Sequence, residues 1–106
     1  MDLDELLEFI ASENRRLHEY HSELTDETAV LSQTVKLNEE IGELCDSVLA
    51  FHSLQRDEKL ETFEEEDIGD EVADVLITAL LLADTMEIDV ENALENKVRA
   101  VENRYE

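Results

Sequence analysis

The segment from Val30 to Phe51, VLSQTVKLNEEIGELCDSVLAF, decides the predicted fold. Its apolar residues recur at steps of three and four, which places them on one face of a helix with about 3.6 residues per turn. The residues that form this face are Val30, Thr34, Leu37, Ile41, Leu44, Val48 and Phe51. The pattern predicts a long amphipathic helix that begins near Thr25 or Asp26, either of which can cap its exposed amides.

Three further segments have helical patterns. The first ends near His21, and its apolar residues at helical spacing are Leu3, Leu6, Leu7, Ile10 and Leu17. The third runs from Asp67 to Met86 and is apolar nearly all the way round, and the fourth follows a cap at Asp89 and extends to Tyr105. The polar stretch 55–66 is interpreted as a loop. With no proline and only two glycines, the chain is poor in turn formers, so we predict an all-α fold of four helices.

The length and the third helix together predict an oligomer. A chain of 106 residues is expected to form a single domain, residues 1–106. A helix that is apolar on most sides must be buried on most sides, and a chain this short rarely buries one helix so fully. We therefore expect a four-helix bundle that is completed by oligomerisation, as a homodimer or a homotetramer.

The charge of the chain limits its partners and its location. It has 30 acidic residues against 8 lysines and arginines, for a formal net charge of -22. Such a surface repels nucleic-acid polymers and anionic membranes, so we exclude both as partners. The start MDLDELLEFI lacks the basic residues of a signal peptide, and the apolar run 75–83 is shorter than the roughly 20 residues of a membrane span. We expect a soluble, cytoplasmic protein, with the single cysteine, Cys45, as a small buried residue.

Acidic side chains lie unusually close to the apolar face of the second helix. At 100° per residue, Glu40 lies about 60° from Leu37, and Glu43 lies on the same flank one turn later. Lys36 is also on this flank, whereas Glu39 lies about 100° further round from Glu40. Glu40 and Glu43 are therefore expected to point towards a common site at the edge of the core.

The third helix repeats this arrangement with Glu71 and Asp74, which point the same way from a mostly apolar face. Carboxylates placed together in the core repel one another and take up protons, and a bound divalent cation removes both problems. Oxygen ligands without histidine or cysteine select a hard ion, so we predict Mg²⁺, with Mn²⁺ as a possible substitute. The alternative is that these acids are solvated, or favour the helix dipole as Asp67 and Asp70 do.

The acidic residues also resemble a known signature. The motif EEIGE at 39–43 and the later motif EVAD at 71–74 resemble the EExxE…ExxD pattern of MazG-like nucleotide pyrophosphohydrolases, which belong to the all-α NTP pyrophosphatase superfamily. The resemblance extends over roughly residues 35–105 and is weak in the first helix. It implies Mg²⁺-dependent hydrolysis of a nucleoside triphosphate to the monophosphate and pyrophosphate, of the house-cleaning type.

The resemblance also implies roles for individual residues. Four acids match the family's metal ligands, namely Glu40, Glu43, Glu71 and Asp74. Glu39 matches an additional glutamate that is either a further ligand or the base that activates water, and we assign the catalytic role to Glu39 and Glu40. Three cations are the candidates for substrate binding, and they are Lys36, Lys97 and Arg104. Lys97 matches a basic position of the family's closing helix.

Two positions depart from the family pattern and leave the base specificity open. Thr78 stands where members often carry an aromatic residue, and Val101 stands where an asparagine is often found. The alternatives to an NTP pyrophosphohydrolase are a phosphoribosyl-ATP pyrophosphohydrolase, a non-catalytic helical module that binds metal or nucleotide, and an acidic scaffold without a site. His18 and His21 have the spacing of a metal pair, but no third nitrogen or sulfur ligand accompanies them, so we favour a role at the helix end.

Overall fold

The computed structural model describes residues 1–21, 25–53 and 65–105. These ranges contain four α-helices and no strand, as the sequence predicts. The helices are α1 (Leu3–Tyr20), α2 (Asp26–Ser53), α3 (Glu65–Thr85) and α4 (Val90–Asn103). Most of the predicted loop 55–66 lies outside the described residues, and α3 begins slightly before the predicted start at Asp67.

Side-chain caps fix the starts of the first two helices. The Asp2 carboxylate accepts a hydrogen bond of 2.8 Å from the backbone N–H of Glu5, and the Glu5 carboxylate accepts one from the backbone of Asp2. This reciprocal pair is a capping box, which satisfies two amides that the helix leaves free. Of the two predicted caps of α2, Thr25 is the one observed, because its hydroxyl accepts a hydrogen bond of 3.2 Å from the backbone of Thr28.

The turn between α3 and α4 is a Schellman motif built on a glutamate. Glu87 has a φ of 57°, in the left-handed region. The N–H of Ile88 donates to the carbonyl of Ala83 at 2.9 Å, and the N–H of Glu87 donates to that of Asp84 at 3.0 Å. These are the two bonds that close such a motif. The predicted cap Asp89 then begins α4 by accepting a hydrogen bond from the backbone of its first turn.

The chain forms two compact units. The first comprises Met1–Val30 and Leu80–Glu106, and the second comprises Leu31–Ala79. Both units contain parts of α2 and α3, whereas α1 and α4 belong to the first unit alone. In the parts of the chain that the structure describes, no helix is both long and apolar enough to cross a membrane.

The first unit has a small core around α1. Ile10 and Ala29 are its fully buried apolar side chains among the described residues. Asn14, one turn after Ile10, is also buried, and its amide donates to the Asp84 carboxylate at 2.8 Å and to the Thr85 hydroxyl at 2.9 Å. These hydrogen bonds fix α1 to the end of α3, because a buried amide without partners would be unfavourable.

The apolar face of α4 is not covered within its unit. Its side chains remain between about one third and nine tenths exposed, and they are Leu94, Val98, Val101 and Tyr105. Leu94, Val98 and Val101 lie on α4, as the sequence pattern predicts, whereas Tyr105 lies beyond the end of the helix. None of the residues that the structure describes buries these four side chains fully.

In the described part of the second unit, the most deeply buried side chains are polar rather than apolar. They are Glu40 on α2 and Thr78 on α3. The prediction that α3 is buried on most sides holds only in part, because Val72 and Leu76 on α3 are exposed. The prediction that Cys45 is buried is wrong. Its position beside the apolar face of α2 leaves it exposed in the chain.

Candidate metal centre

Glu40 is the most deeply buried of the predicted metal ligands. Its side chain lies at the edge of the apolar face of α2, and the residue is 7% exposed. One carboxylate oxygen, Oε1, lies 3.1 Å from the Lys36 ammonium one helical turn earlier. The other, Oε2, is buried and has no hydrogen-bond partner. An anionic oxygen in that state is strongly unfavourable unless a positive charge compensates it.

Glu43 and Glu71 bring two more carboxylates to the same place. One oxygen from each of Glu40, Glu43 and Glu71 lies within 4.8 Å of the others. The first two residues belong to α2 and the third to α3, and all three lie within the second unit. Glu71 is half-buried, and its Oε2 is also buried without a hydrogen-bond partner, whereas Glu43 is exposed. The two helices therefore present three converging carboxylates, two of which have an oxygen with no proton donor.

The electrostatics of this group favour a cation. Burial raises the pKa of the Glu71 carboxyl, and the negative charges of Glu43, Asp74 and Glu40 raise it further. The pKa of Lys36 is also raised, first by its hydrogen bond to Glu40 and then by the charge of that carboxylate. Neighbouring negative charges contribute to both shifts, although burial is the largest cause for Glu71 and the hydrogen bond to Glu40 is the largest cause for Lys36.

The donor set fits Mg²⁺ or Mn²⁺. Its three ligand atoms are carboxylate oxygens, and within the described ranges no histidine or cysteine joins them. Hard divalent cations prefer such ligands. The two unpartnered oxygens provide the independent reason to expect an ion here, because exposed acidic groups are common without one. A bound cation would reduce the mutual repulsion of the three carboxylates.

Two predicted acids lie near this group without joining it. Asp74 is exposed and is not among the three converging carboxylates, although its charge contributes to the raised pKa of Glu71. Its backbone carbonyl accepts a hydrogen bond of 2.7 Å from the hydroxyl of the buried Thr78. Glu39 is exposed on α2 and also lies outside the group. Metal ligation by Asp74 and catalysis by Glu39 therefore remain predictions.

The remaining predicted cations have different surroundings from Lys36. Lys97 lies on α4, and Arg104 directly follows the end of that helix. Both residues belong to the first unit, and both side chains are exposed. Arg104 also ends α4, since its backbone N–H bonds to the carbonyl of Val101 at 3.1 Å. Substrate binding by these two residues stays a prediction.

His18, in the last turn of α1, and His21, directly after the helix, have structural contacts near the helix end, as the sequence favours. His18 Nδ1 lies 2.8 Å from the backbone carbonyl of Asn14, so this nitrogen carries the proton that is donated there. The backbone N–H of His21 bonds to the carbonyl of Leu17 at 3.0 Å and ends the helix. His18 also lines an open polar pocket of about 370 Å³ in the first unit.

The sequence reasoning did not identify Asn14 as a buried residue. Asn14 follows Ile10 by one helical turn and precedes Leu17 on the apolar face of α1. A polar residue on such a face is a recognisable signal of a buried hydrogen bond. Its partners Asp84 and Thr85 are distant in sequence, so the pairing itself could not be read from the chain.

Comparison with models of known protein families shows to which family the chain belongs. The model of the MazG-like family matches residues 31–106, which is most of the chain. The chain belongs to the MazG-like family. The match contains both acidic motifs and all the predicted site residues of this MazG-like protein, and it begins within α2. No curated protein and no solved structure matches the chain at a significant level.

Proposed function

We propose that this MazG-like protein is a nucleotide pyrophosphohydrolase. The proposed reaction is the hydrolysis of a nucleoside triphosphate, NTP or dNTP, to the monophosphate and pyrophosphate, with Mg²⁺ or, as a substitute, Mn²⁺. The observation that carries the proposal is the convergence of Glu40, Glu43 and Glu71, with two buried oxygens that have no partner. The family membership supports a pyrophosphohydrolase over an unrelated metal protein.

The proposed metal ligands are Glu40, Glu43, Glu71 and Asp74. Asp74 completes this set because it follows Glu71 on the same helix and influences the pKa of the Glu71 carboxyl. When bound, a divalent cation supplies the positive charge between carboxylates and phosphate oxygens and acidifies a water molecule.

The protein's own side chains position the reactants in this proposal. Glu39 and Glu40 are the proposed catalytic residues, and the exposed carboxylate of Glu39 is the one available to accept the proton of the attacking water. Lys36, Lys97 and Arg104 bind phosphate oxygens. Because the chain has a net charge of -22, these few cations are needed to offset its repulsion of a triphosphate.

We also propose that the chain forms one domain, residues 1–106, in a homodimer or homotetramer in the cytoplasm, where nucleoside triphosphates are present. Exposed apolar side chains on three helices support the oligomer, since a second copy would bury them. They include Leu31, Val35, Leu49, Leu76, Leu94 and Val98.

A substrate panel tests the function. Pyrophosphate release is measured with the NTPs, the dNTPs and phosphoribosyl-ATP, each with Mg²⁺, Mn²⁺ or EDTA. We expect release from at least one NTP or dNTP, none in EDTA, and a loss of at least about a hundredfold in Glu71→Gln. Glu8→Gln, which removes an exposed carboxylate from α1, is the matched control and retains activity.

Other outcomes of the panel contradict the proposal in distinct ways. Release from phosphoribosyl-ATP alone would identify the related pyrophosphohydrolase. Tight nucleotide binding without release from any substrate would identify a non-catalytic module. If neither metal nor nucleotide raised the melting temperature, the site itself would be refuted, because a specific ligand stabilises the folded state that binds it.

A further inference from the structure

Lys36 already provides a positive charge at the metal site. Its Nζ lies 3.1 Å from Oε1 of Glu40, although the Lys36 side chain is 58% exposed and that of Glu40 is only 9% exposed. The lysine thus reaches from the helix surface to a buried carboxylate one turn away. This geometry makes Lys36 a counter-ion of Glu40.

The contact occupies only one of the two oxygens that Glu40 offers. Oε2 of Glu40 has no partner, nor does Oε2 of Glu71. One oxygen from each of Glu40, Glu43 and Glu71 lies within 4.8 Å of the others. A divalent cation that binds these oxygens would place two further positive charges near the ammonium. Because like charges repel at this range, the cation and the ammonium compete for the same carboxylate.

A divalent cation is favoured over Lys36 in this competition. A divalent cation can contact three carboxylates, whereas Lys36 pairs with one and keeps most of its side chain in water. Because the Lys36 side chain is 58% exposed, water can solvate its ammonium once it leaves, and a lysine side chain has many alternative rotamers. The ammonium can therefore leave Glu40 at little expense, and it would remain on the same flank of α2.

We propose that Lys36 is a displaceable counter-ion that couples metal binding to substrate binding. In the metal-free protein it pairs with Glu40. When Glu40, Glu43 and Glu71 hold a divalent cation, Lys36 would leave Glu40, and its ammonium would bind a phosphate oxygen of the substrate. The inference rests on the metal site of the proposed function, and it adds that one lysine opposes metal binding and favours phosphate binding.

Substitution of Lys36 should therefore change two affinities in opposite directions. Lys36→Met keeps the length of the side chain but removes its charge, and we expect Mn²⁺ alone to bind about three- to tenfold more tightly. Inorganic triphosphate, added with saturating Mn²⁺, should bind about tenfold more weakly. Lys36→Arg keeps the charge, so its Mn²⁺ affinity should stay within about twofold of the wild type.

The experiment is calorimetric titration of the full chain, first with Mn²⁺ and then with inorganic triphosphate. The matched control is Arg16→Met, which removes one positive charge from another helical ion pair, in which Arg16 Nη2 lies 2.8 Å from Glu13. We expect this control to bind both probes like the wild type. The effect of Lys36→Met on Mn²⁺ should also diminish at high ionic strength, because salt screens the repulsion.

The outcomes separate the inference from the function on which it rests. If the wild type binds Mn²⁺ but Lys36→Met binds it equally or less tightly, the counter-ion role is wrong and the metal site stands. If Mn²⁺ binds more tightly but triphosphate binding is unchanged, the coupling is wrong. If Arg16→Met has the same effect as Lys36→Met, net charge rather than the local pair is responsible. If the wild type binds no Mn²⁺, the metal site and the inference both fail.

Discussion

Glu40 and Glu71 each carry a buried carboxylate oxygen that has no hydrogen-bond partner, and they offer oxygens within 4.8 Å of each other. The two residues belong to different helices, so their proximity is a property of the second unit and not of one helix. In a folded chain such an arrangement is unfavourable unless something binds there. A divalent cation bound by these carboxylates would offset their charge.

Metal binding should stabilise the protein. At a concentration of Mg²⁺ or Mn²⁺ about 100 times its dissociation constant, the free energy of unfolding should rise by about 2.7 kcal/mol. For a domain of this size, that corresponds to an increase in melting temperature on the order of 10 °C. Thermal unfolding with metal and with EDTA measures the effect. An equal response in Glu71→Gln would show that the ions act elsewhere on this acidic surface.

The raised pKa of Glu71 predicts how the metal-free protein responds to acid. The ordinary pKa of this carboxyl is 4.5, and burial together with neighbouring negative charge raises the pKa in the folded state. The folded state therefore binds the proton more tightly than the unfolded state does. Its contribution to stability is fully present below about pH 4.5 and is lost as the pH rises through the folded pKa.

Glu71→Gln should remove this contribution. The free energy of unfolding, measured in EDTA between pH 4.5 and pH 8, should fall less with rising pH in Glu71→Gln than in the wild type. The difference between the two profiles isolates Glu71 from the other acids of the chain. The control Glu8→Gln should follow the wild type, and identical profiles for all three proteins would contradict the prediction.

Substitution of Glu39 distinguishes its two possible roles. If Glu39 is the base, Glu39→Gln should lower kcat by about 10²- to 10⁴-fold and leave the Mn²⁺ affinity unchanged. Its exposed position outside the three converging carboxylates favours this outcome. A parallel loss of Mn²⁺ affinity would instead identify Glu39 as a further metal ligand. Steady-state kinetics and calorimetry on the same variant separate the two.

The turn after α3 provides a test that does not depend on the metal site. Glu87 adopts a φ of 57°, which glycine reaches without the steric strain of a side chain. Glu87→Gly should therefore raise the free energy of unfolding by about 0.5 to 1 kcal/mol, after the greater flexibility of glycine in the unfolded chain is included. Urea unfolding measures the change. If Glu87→Gly lowered the free energy of unfolding, the stabilisation from the Glu87 side chain would be larger than the strain of its backbone.

Local patterns in the sequence predicted the helices and the position of Glu40. The apolar spacing of α2 places Glu40 at the edge of its buried face, and the residue is indeed buried. Caps at Thr25 and Asp89 could be predicted because they depend only on neighbouring residues. The proximity of Glu43 to Glu71 depends on how two helices pair, which the periodicity of a single helix does not predict. The resemblance to the EExxE…ExxD signature predicted that these two residues share a site.

Burial was predicted less well, because it depends on what covers a face. Ile41 lies on the apolar face of α2 yet is 42% exposed, and Leu76 on the apolar α3 is 57% exposed. A periodic pattern identifies which side chains share a face but not whether another helix lies against it. The bond between Asn14 and Asp84 was missed for a related reason, since a hydrogen bond between distant residues leaves no local pattern.

Hydrolysis in ¹⁸O-labelled water tests the central claim most directly. The substrate is the nucleotide that the panel identifies, and the products are analysed by mass spectrometry for the wild type and for Glu71→Gln. Attack of water on the α-phosphorus predicts the label in the monophosphate, unlabelled pyrophosphate, and loss of both products in the variant. Label in inorganic phosphate with a nucleoside diphosphate as the other product, or full activity of Glu71→Gln, would contradict the account.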